Sequence, residues 1–575
     1  MEKNGNFKNI KIFVALIVLA TILRLSFLSL TPLYHDEPAY SLRSIGMIDT
    51  LTSKNQPTPV DLLGYENWWV KLSFHDHPPL FFLINHISIK IFKSGLFGAR
   101  LPSVFFGIAT VIILFYIARK IFDEKTALLV AGLGAVNCFM VAYARVSMME
   151  STVMFFILLS LYFFLLSLEN QKYLPWFGLF FGISVMCKYT AVISMLAYIP
   201  IIIIYRRNYL VGKKFYFSAL LFLIVISPLI IYNYYLFENF GHFDFQISSL
   251  LNQDTPMWGK IYNAQIRGSI FDRIQGLLSL SYLISPVMVC FFFSGLILFA
   301  FKIKKACGVN LLTLLFFTIT QIFLVILIDS HARILYYSVP SVILLSSYYI
   351  YNNGFLATNQ KPWKIAVGAL LCFELLFCLN SIFVPLWSKP WGQEFLTYAM
   401  VYGESSHFDQ GDRQIEAFFK NNVDGQSQKI DVRPWFYEWK PINSIDIVKD
   451  SFAKNDSKPI IVYDSRIKYQ TYAWVFMKRK IYQNIPVFSD IEFKKNIIQK
   501  FIDPQIFNHF NVYYVFAVSP FSRVDPTQAQ STHLPSELDF ASAVLIRNSQ
   551  GIPVYLVYHL NFSDYFDIFI NNSNN

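Results

Sequence analysis

Charge is scarce in this chain: 15% of its 575 residues are Asp, Glu, Lys or Arg, where soluble domains carry about a quarter. That scarcity excludes an ordinary soluble fold. Hydrophobic residues make up 55% of the sequence, the mean hydropathy is +0.43, and uncharged runs recur at ~20 residues, the length that crosses a bilayer as a helix. Cysteine is scarce too. All six (Cys138, Cys187, Cys290, Cys307, Cys372, Cys378) precede residue 387, so no disulfide framework holds the last stretch, and their spacings match no zinc pattern. No nucleic-acid-binding motif is present. The net charge of +11 is therefore read as Lys- and Arg-rich cytoplasmic loops. The first apolar run, Ile12 to Leu30, follows Lys3, Lys8 and Lys11 and lacks a small-residue cleavage site, so it is read as an uncleaved helix.

What is there is a series of apolar runs. They place helices at about 11–30, 101–120, 126–144, 148–168, 173–188, 190–206, 215–236, 277–301, 309–328, 334–352 and 363–386. A shorter run, 79–92, contains His86 and Lys90. Loop charge decides its role. The basic loops carry Arg119, Lys120 and Lys125; Arg206, Arg207, Lys213 and Lys214; Lys302, Lys304 and Lys305; and Lys361 and Lys364. All become cytoplasmic if 79–92 lies in the interface. The expectation is a polytopic α-helical membrane protein of about eleven transmembrane helices, with its N-terminus inside and its C-terminus outside. The transmembrane module is expected over 1–386, with a first outer loop at 31–100, and a soluble extracytoplasmic domain over 387–575. There Pro459–Asp464, Val512–Ala517 and Val554–Tyr558 read as strands among helix-compatible stretches, a small α/β domain.

That topology collects the chemistry on the outer side. The first outer loop opens with Tyr34-His35-Asp36-Glu37-Pro38-Ala39-Tyr40 and later carries Phe74-His75-Asp76-His77-Pro78-Pro79. Arg100, Arg145, Glu150, Lys188, His331 and Arg333 all map to outer helix ends. Taken singly, an acid pair at a membrane boundary is a solvated helix end, and each cation is an anchor that snorkels to water. Together, acids that activate a hydroxyl and cations that hold a phosphate are the parts for moving a group from a lipid phosphate to an alcohol. A transporter or lipid flippase and a non-catalytic glycan-assembly subunit are the alternatives. A transporter would place its ionisable groups at the midplane between two matching halves, and no such halves are visible.

At these residues the sequence resembles the polyprenyl-phosphate-sugar-dependent glycosyltransferases of the GT-C fold, the group with protein O-mannosyltransferases and lipid A aminoarabinose transferases. The resemblance rests on Asp36-Glu37, His77-Pro-Pro-Leu80, Arg100-Leu-Pro-Ser103, Ala144-Arg145 with Glu150, Lys188-Tyr-Thr190, and Arg333 with Tyr336-Tyr337 and Pro340, over about residues 10–350. It implies an inverting transfer from a polyprenyl-phosphate-linked donor to a lipid, protein or glycan hydroxyl at the outer face. Carried over, Asp36 is the general base, Glu37 supports it, and Arg100, Lys188 and Arg333 hold the donor phosphate. His35, Tyr40, Asp76, His77, Arg145, Glu150, His331 and Tyr336 line the cavity. Aminoarabinose transferases have a lysine where this chain has His77. No resident cofactor is expected, with a divalent cation at Asp36, Glu37, Asp76 and His77 left open. A bacterial inner membrane is the expected location.

Overall fold

The computed structural model describes residues 2–383 apart from short breaks, the larger ones being most of 254–279 and stretches at 303–307, 329–331 and 353–360. It also describes 411–561 apart chiefly from 425–442, 456–458, 499–509 and 519–541. The chain forms two compact units, one of Met1–Thr31 with Met47–Val401 and the other of Pro32–Gly46 with Tyr402–Asn575. The expected domain boundary at 386/387 lies outside the described residues.

The first unit is a helical bundle. Among the described residues, six helices are long and apolar enough to cross a membrane: Asn9–Leu30, Gly95–Ile121, Met149–Ser167, Lys213–Phe240, Val309–Leu327 and Lys364–Ile382. The pair Glu124–Val136 and Cys138–Ala144 is equally apolar when taken together and is bent by 57°. The remaining apolar runs are helical but shorter. Leu174–Cys187 is followed by a 3-10 segment, Tyr189–Ala197, and then by Ile199–Tyr205. Leu80–Phe92, Pro286–Lys302 and Val339–Asn352 complete the set. Apolar runs thus located the helices, and two of them, 126–144 and 190–206, are interrupted within the run.

The bend shows how a break is tolerated in an apolar medium, where each freed backbone group needs an internal partner. Asn137 ends one helix and caps the next, its side chain accepting from the Met140 amide at 3.0 Å. The buried Arg24 guanidinium donates to the Gly134 carbonyl at 3.1 Å and the Ala135 carbonyl at 3.0 Å, which have lost helical donors at the break. Close packing elsewhere depends on glycine. A Cβ at Gly178 would lie 2.1 Å from the Ser218 carbonyl oxygen, so the helices Leu174–Cys187 and Lys213–Phe240 meet backbone to backbone there.

The bundle has two chemically distinct ends. At one, Asn9 donates to Glu124 at 3.0 Å, Lys120 pairs with Glu169, and Arg206 donates to the Leu168 carbonyl at 2.9 Å. These are the short basic loops. The opposite ends of the same helices carry Glu150 and Lys188.

The second unit contains the expected α/β domain. Five strands, β1 (Ile460–Tyr463), β2 (Val487–Ser489), β3 (Asn511–Ala517), β4 (Val544–Arg547) and β5 (Pro553–Asn561), form a sheet in the order β2-β1-β3-β5-β4. β1 runs parallel to β2 and β3, and β5 runs antiparallel to β3 and β4. The three strands read from the sequence are β1, β3 and β5. The core is apolar and aromatic, with Val462, Phe488, Phe493, Tyr514 and Tyr558 all buried. The helices Asp412–Asn422 and Ser444–Ala453 belong to the same unit.

Candidate functional site

In the second unit, Asp36 opens the helix Glu37–Gly46, and its carbonyl accepts from the Tyr40 amide at 2.9 Å. The turn before it is closed twice. The Glu37 amide donates to the Tyr34 carbonyl at 2.8 Å, and the Glu37 carboxylate accepts from the Tyr34 amide at 3.1 Å. His35, at the apex, is exposed and has a φ of 46°. That is the left-handed region a histidine seldom occupies, and such conformations persist where the surroundings hold them. Glu37 is fully buried and spent on the backbone, whereas Asp36 is partly exposed. The turn therefore divides the two acids, one holding the loop and the other presented at a helix N-terminus, whose dipole favours a carboxylate. Tyr40 is buried on the same helix.

In the first unit, the break after Leu174–Cys187 leaves Lys188 in an extended conformation. Its ammonium donates to the Glu150 carboxylate at 2.8 Å, and Glu150 stands in the first turn of Met149–Ser167. The other Glu150 oxygen has no hydrogen-bond partner among the described residues, nor has the nearby Thr152 hydroxyl. Arg333 lies within electrostatic reach of the same carboxylate. The Tyr337 ring sits under Lys188 at 6.0 Å, and the buried Tyr336 hydroxyl lies 3.5 Å from Ser151 Oγ. Glu150, Lys188, Arg333 and Tyr336, scattered over some 190 residues of sequence, thus belong to one buried polar cluster. His331 lies outside the described residues.

The His-Asp-His turn forms a second cluster. His75 Nδ1 lies 2.6 Å from Asp49 Oδ2 and 3.7 Å from Asp76 Oδ1, and His77 Nε2 lies 3.8 Å from Asp76 Oδ2. Asp49, His75 and Asp76 each bring one donor atom within 4.8 Å of the others. An imidazole with two carboxylates is a donor set that suits a divalent cation. This set differs from the four residues named from the sequence: Asp49, 26 residues from His75, carried no motif signal.

Neighbouring loops are braced around this turn. The His75 carbonyl accepts from the Phe245 amide and from Gln56 Nε2, each at 3.3 Å. The His242 ring meets the Asn55 carbonyl at 2.9 Å. Buried Asp244 receives hydrogen bonds from the Tyr189 hydroxyl and from Asn233 Nδ2. Burial pushes the Asp244 carboxyl above its ordinary range despite those donors.

Two predicted site arginines spend donors on backbone. Arg145 Nη1 donates to the carbonyls of Leu23, Arg24 and Ser26, at 3.1, 3.3 and 2.5 Å, and its guanidinium lies 4.7 Å over the Phe383 ring. Arg100 Nη1 donates to the Leu28 carbonyl at 2.7 Å. Both close the C-terminal end of the first span, where helical carbonyls lack intrahelical donors.

Residues 76–232 match the family described as dolichyl-phosphate-mannose-protein mannosyltransferase. No curated protein matches the chain. Among solved structures, ArnT from Cupriavidus metallidurans in the apo state is similar at 13% identity and a TM-score of 0.52, covering 96% of this chain and 98% of ArnT. The undecaprenyl phosphate-bound form of ArnT matches at 13% identity and a TM-score of 0.50, over 95% of this chain and 97% of that one. The apo oligosaccharyltransferase of Archaeoglobus fulgidus has 13% identity and a TM-score of 0.49, over 88% of this chain and 69% of its own. The chain is a membrane-spanning protein that shares the GT-C fold of ArnT and carries the mannosyltransferase family match over residues 76–232.

Proposed function

We propose that the protein transfers a sugar, with inversion, from a polyprenyl-phosphate-linked donor to an acceptor hydroxyl at the outer face of a bacterial inner membrane. The observation that carries this reading is the division of labour in the Tyr34–Glu37 turn: one acid is committed to holding the loop, and its neighbour is presented at the start of a helix. In the proposed step the acceptor hydroxyl gives its proton to Asp36 as its oxygen attacks the anomeric carbon. The bond to phosphate oxygen breaks on the opposite side, and the lipid phosphate departs with the electron pair. Charge grows on that phosphate, so fixed cations there lower the barrier. Lys188, Arg333 and Arg100 fill that role in the proposal, and Glu150 holds Lys188 in place. The family match includes both Asp76 and Lys188, and the lipid phosphate bound to ArnT is of the class that departs in this step. Asp49, His75 and Asp76 are the residues that would hold a divalent cation, which would supply further neutralisation of phosphate charge.

A protein with its N-terminus inside and residues 387–575 outside accounts for the basic loops. A reporter fused at residue 575 is expected to read as external, and a cytoplasmic signal overturns that orientation. The central test is Asp36→Asn, assayed with a labelled polyprenyl-phosphate sugar. Transfer should be abolished with thermal stability unchanged; full activity removes Asp36 as the base. Mass spectrometry of glycolipids and glycoproteins from a deletion strain identifies the sugar and its acceptor.

A further inference from the structure

The helix that begins at Asp36 ends in an unusual way. The α-helix runs through Gly46, and the Tyr482 hydroxyl reaches both backbone groups of its last turn, accepting from Gly46 N at 3.1 Å and donating to the Leu42 carbonyl at 2.7 Å. A side chain from 440 positions away thus clamps the end of this helix. The next residue, Met47, has a φ of 55°, which ends the helix abruptly.

Tyr482 is itself held fast. It lies on Lys478–Gln483, which continues from a π-helical turn, Tyr472–Met477. That turn and the short helix before it pack against Glu37–Gly46, and π-turns inside helices recur at functional positions. One turn before Tyr482, Arg479 makes a two-pronged pair with Asp424, 2.9 Å on each side, and reaches Glu416 at 2.6 Å. Lys478 pairs with the same Glu416. At the other end of the segment, the Thr471 hydroxyl bonds to Asp412 and lies 3.2 Å from the Tyr555 hydroxyl on β5. Lys478, Arg479 and Thr471 are buried, and breaking such a pair in a dry interior is costly. Burial also pushes the Tyr482 phenol far above its ordinary value, so its proton stays available to the Leu42 carbonyl.

We infer that Tyr482 is a positioning residue for transfer: the α/β domain, through this one hydroxyl, sets the aim of the helix that presents Asp36. The inference rests on the proposed role of Asp36 as base. It gives the C-terminal domain a part in the chemical step beyond any contact with an acceptor. Removing the hydroxyl releases the last turn of this helix from the α/β domain. The helix then survives, but its direction is no longer fixed by that contact.

Tyr482→Phe in the full-length protein tests this, with Asp36→Asn run beside it. A kcat at least tenfold lower, with donor KM within twofold and a near-unchanged melting temperature, is the expected result. Amide hydrogen exchange over residues 37–46 should change while exchange over β1, β3 and β5 does not. A kcat equal to wild type overturns the inference. So does a loss of kcat accompanied by proportional loss of thermal stability, which marks a structural role only. Because Phe keeps the ring, the buried packing around Tyr482 is retained and the variant folds; should it not, Tyr482→Leu, which removes the hydroxyl and leaves the helix backbone untouched, puts the same question. Asp36→Asn separates the two claims. If it stays active, the base assignment fails; if it is inactive while Tyr482→Phe is normal, the positioning role alone fails.

Discussion

Glu150 and Lys188 offer the sharpest quantitative test of the first unit. Their side chains are 1% and 12% exposed and meet at 2.8 Å. Both charges are largely buried. Glu150→Gln leaves a buried ammonium without its counter-charge, and Lys188→Met leaves a buried carboxylate. Deleting one partner of such a pair costs about 3–5 kcal/mol, a shift of roughly two to four decades in the folding equilibrium. Replacing both partners by neutral side chains of similar size restores most of the loss, because no unpaired charge remains. The assay is unfolding in mixed micelles for the two single variants and Glu150→Gln/Lys188→Met, read as a double-mutant cycle. The coupling should be at least about 2 kcal/mol. Singles that each cost under about 0.5 kcal/mol, with no coupling, would show that the pair is solvated and would refute the argument. Activity provides the second reading: if Lys188 holds the donor phosphate, the double variant stays inactive when its stability returns.

Arg145→Ala should destabilise the bundle by about 2–3 kcal/mol, since a charged donor to the carbonyls of Leu23, Arg24 and Ser26 is lost and buried carbonyls are left unpaired; micelle unfolding measures it. In the α/β domain, burial alone would raise the Glu416 carboxyl, but Lys478 and Arg479 outweigh it and hold it below its ordinary 4.5. The ion pairs therefore stabilise the domain fully above that ordinary value and are lost as pH falls through the lower folded value. Glu416→Gln should flatten the acid limb of an unfolding curve followed by hydrogen exchange over residues 411–561. Gly178→Ala should separate two spans, because its Cβ would overlap the Ser218 backbone; a loss of about 1–3 kcal/mol is expected, measured in the same micelles.

The Asn137 break was hidden from the sequence because its cause is non-local. The run 126–144 reads as one uniform apolar helix, and an Asn within it is compatible with either a continuous or a broken span. What makes the break tolerable is Arg24, more than 110 residues away in sequence, which supplies the donors for the exposed carbonyls. The strands β2 and β4 were missed because three- and four-residue runs carry too little alternation to stand out. Of the site, the sequence named Glu150, Lys188 and Arg333 from their places at helix ends, and the fold brings them together. It also named Arg145 as cavity-lining, where a long cationic side chain at a helix end looks the same whether it turns to a ligand or, as here, to backbone carbonyls.

The sequence by itself determined that this chain lives in a membrane, where its helices lie, and where its scarce charges fall along them. These are properties of local composition: apolar length sets what a bilayer accepts, and scarce charge marks the ends. Only the tertiary structure decided which groups far apart in the chain meet. Glu37 closes its own turn, Asp49 joins His75, and Tyr482 caps the helix that Asp36 begins. Such pairings depend on atoms within about 3 Å of each other from residues far apart in the chain, a distance that no local pattern encodes.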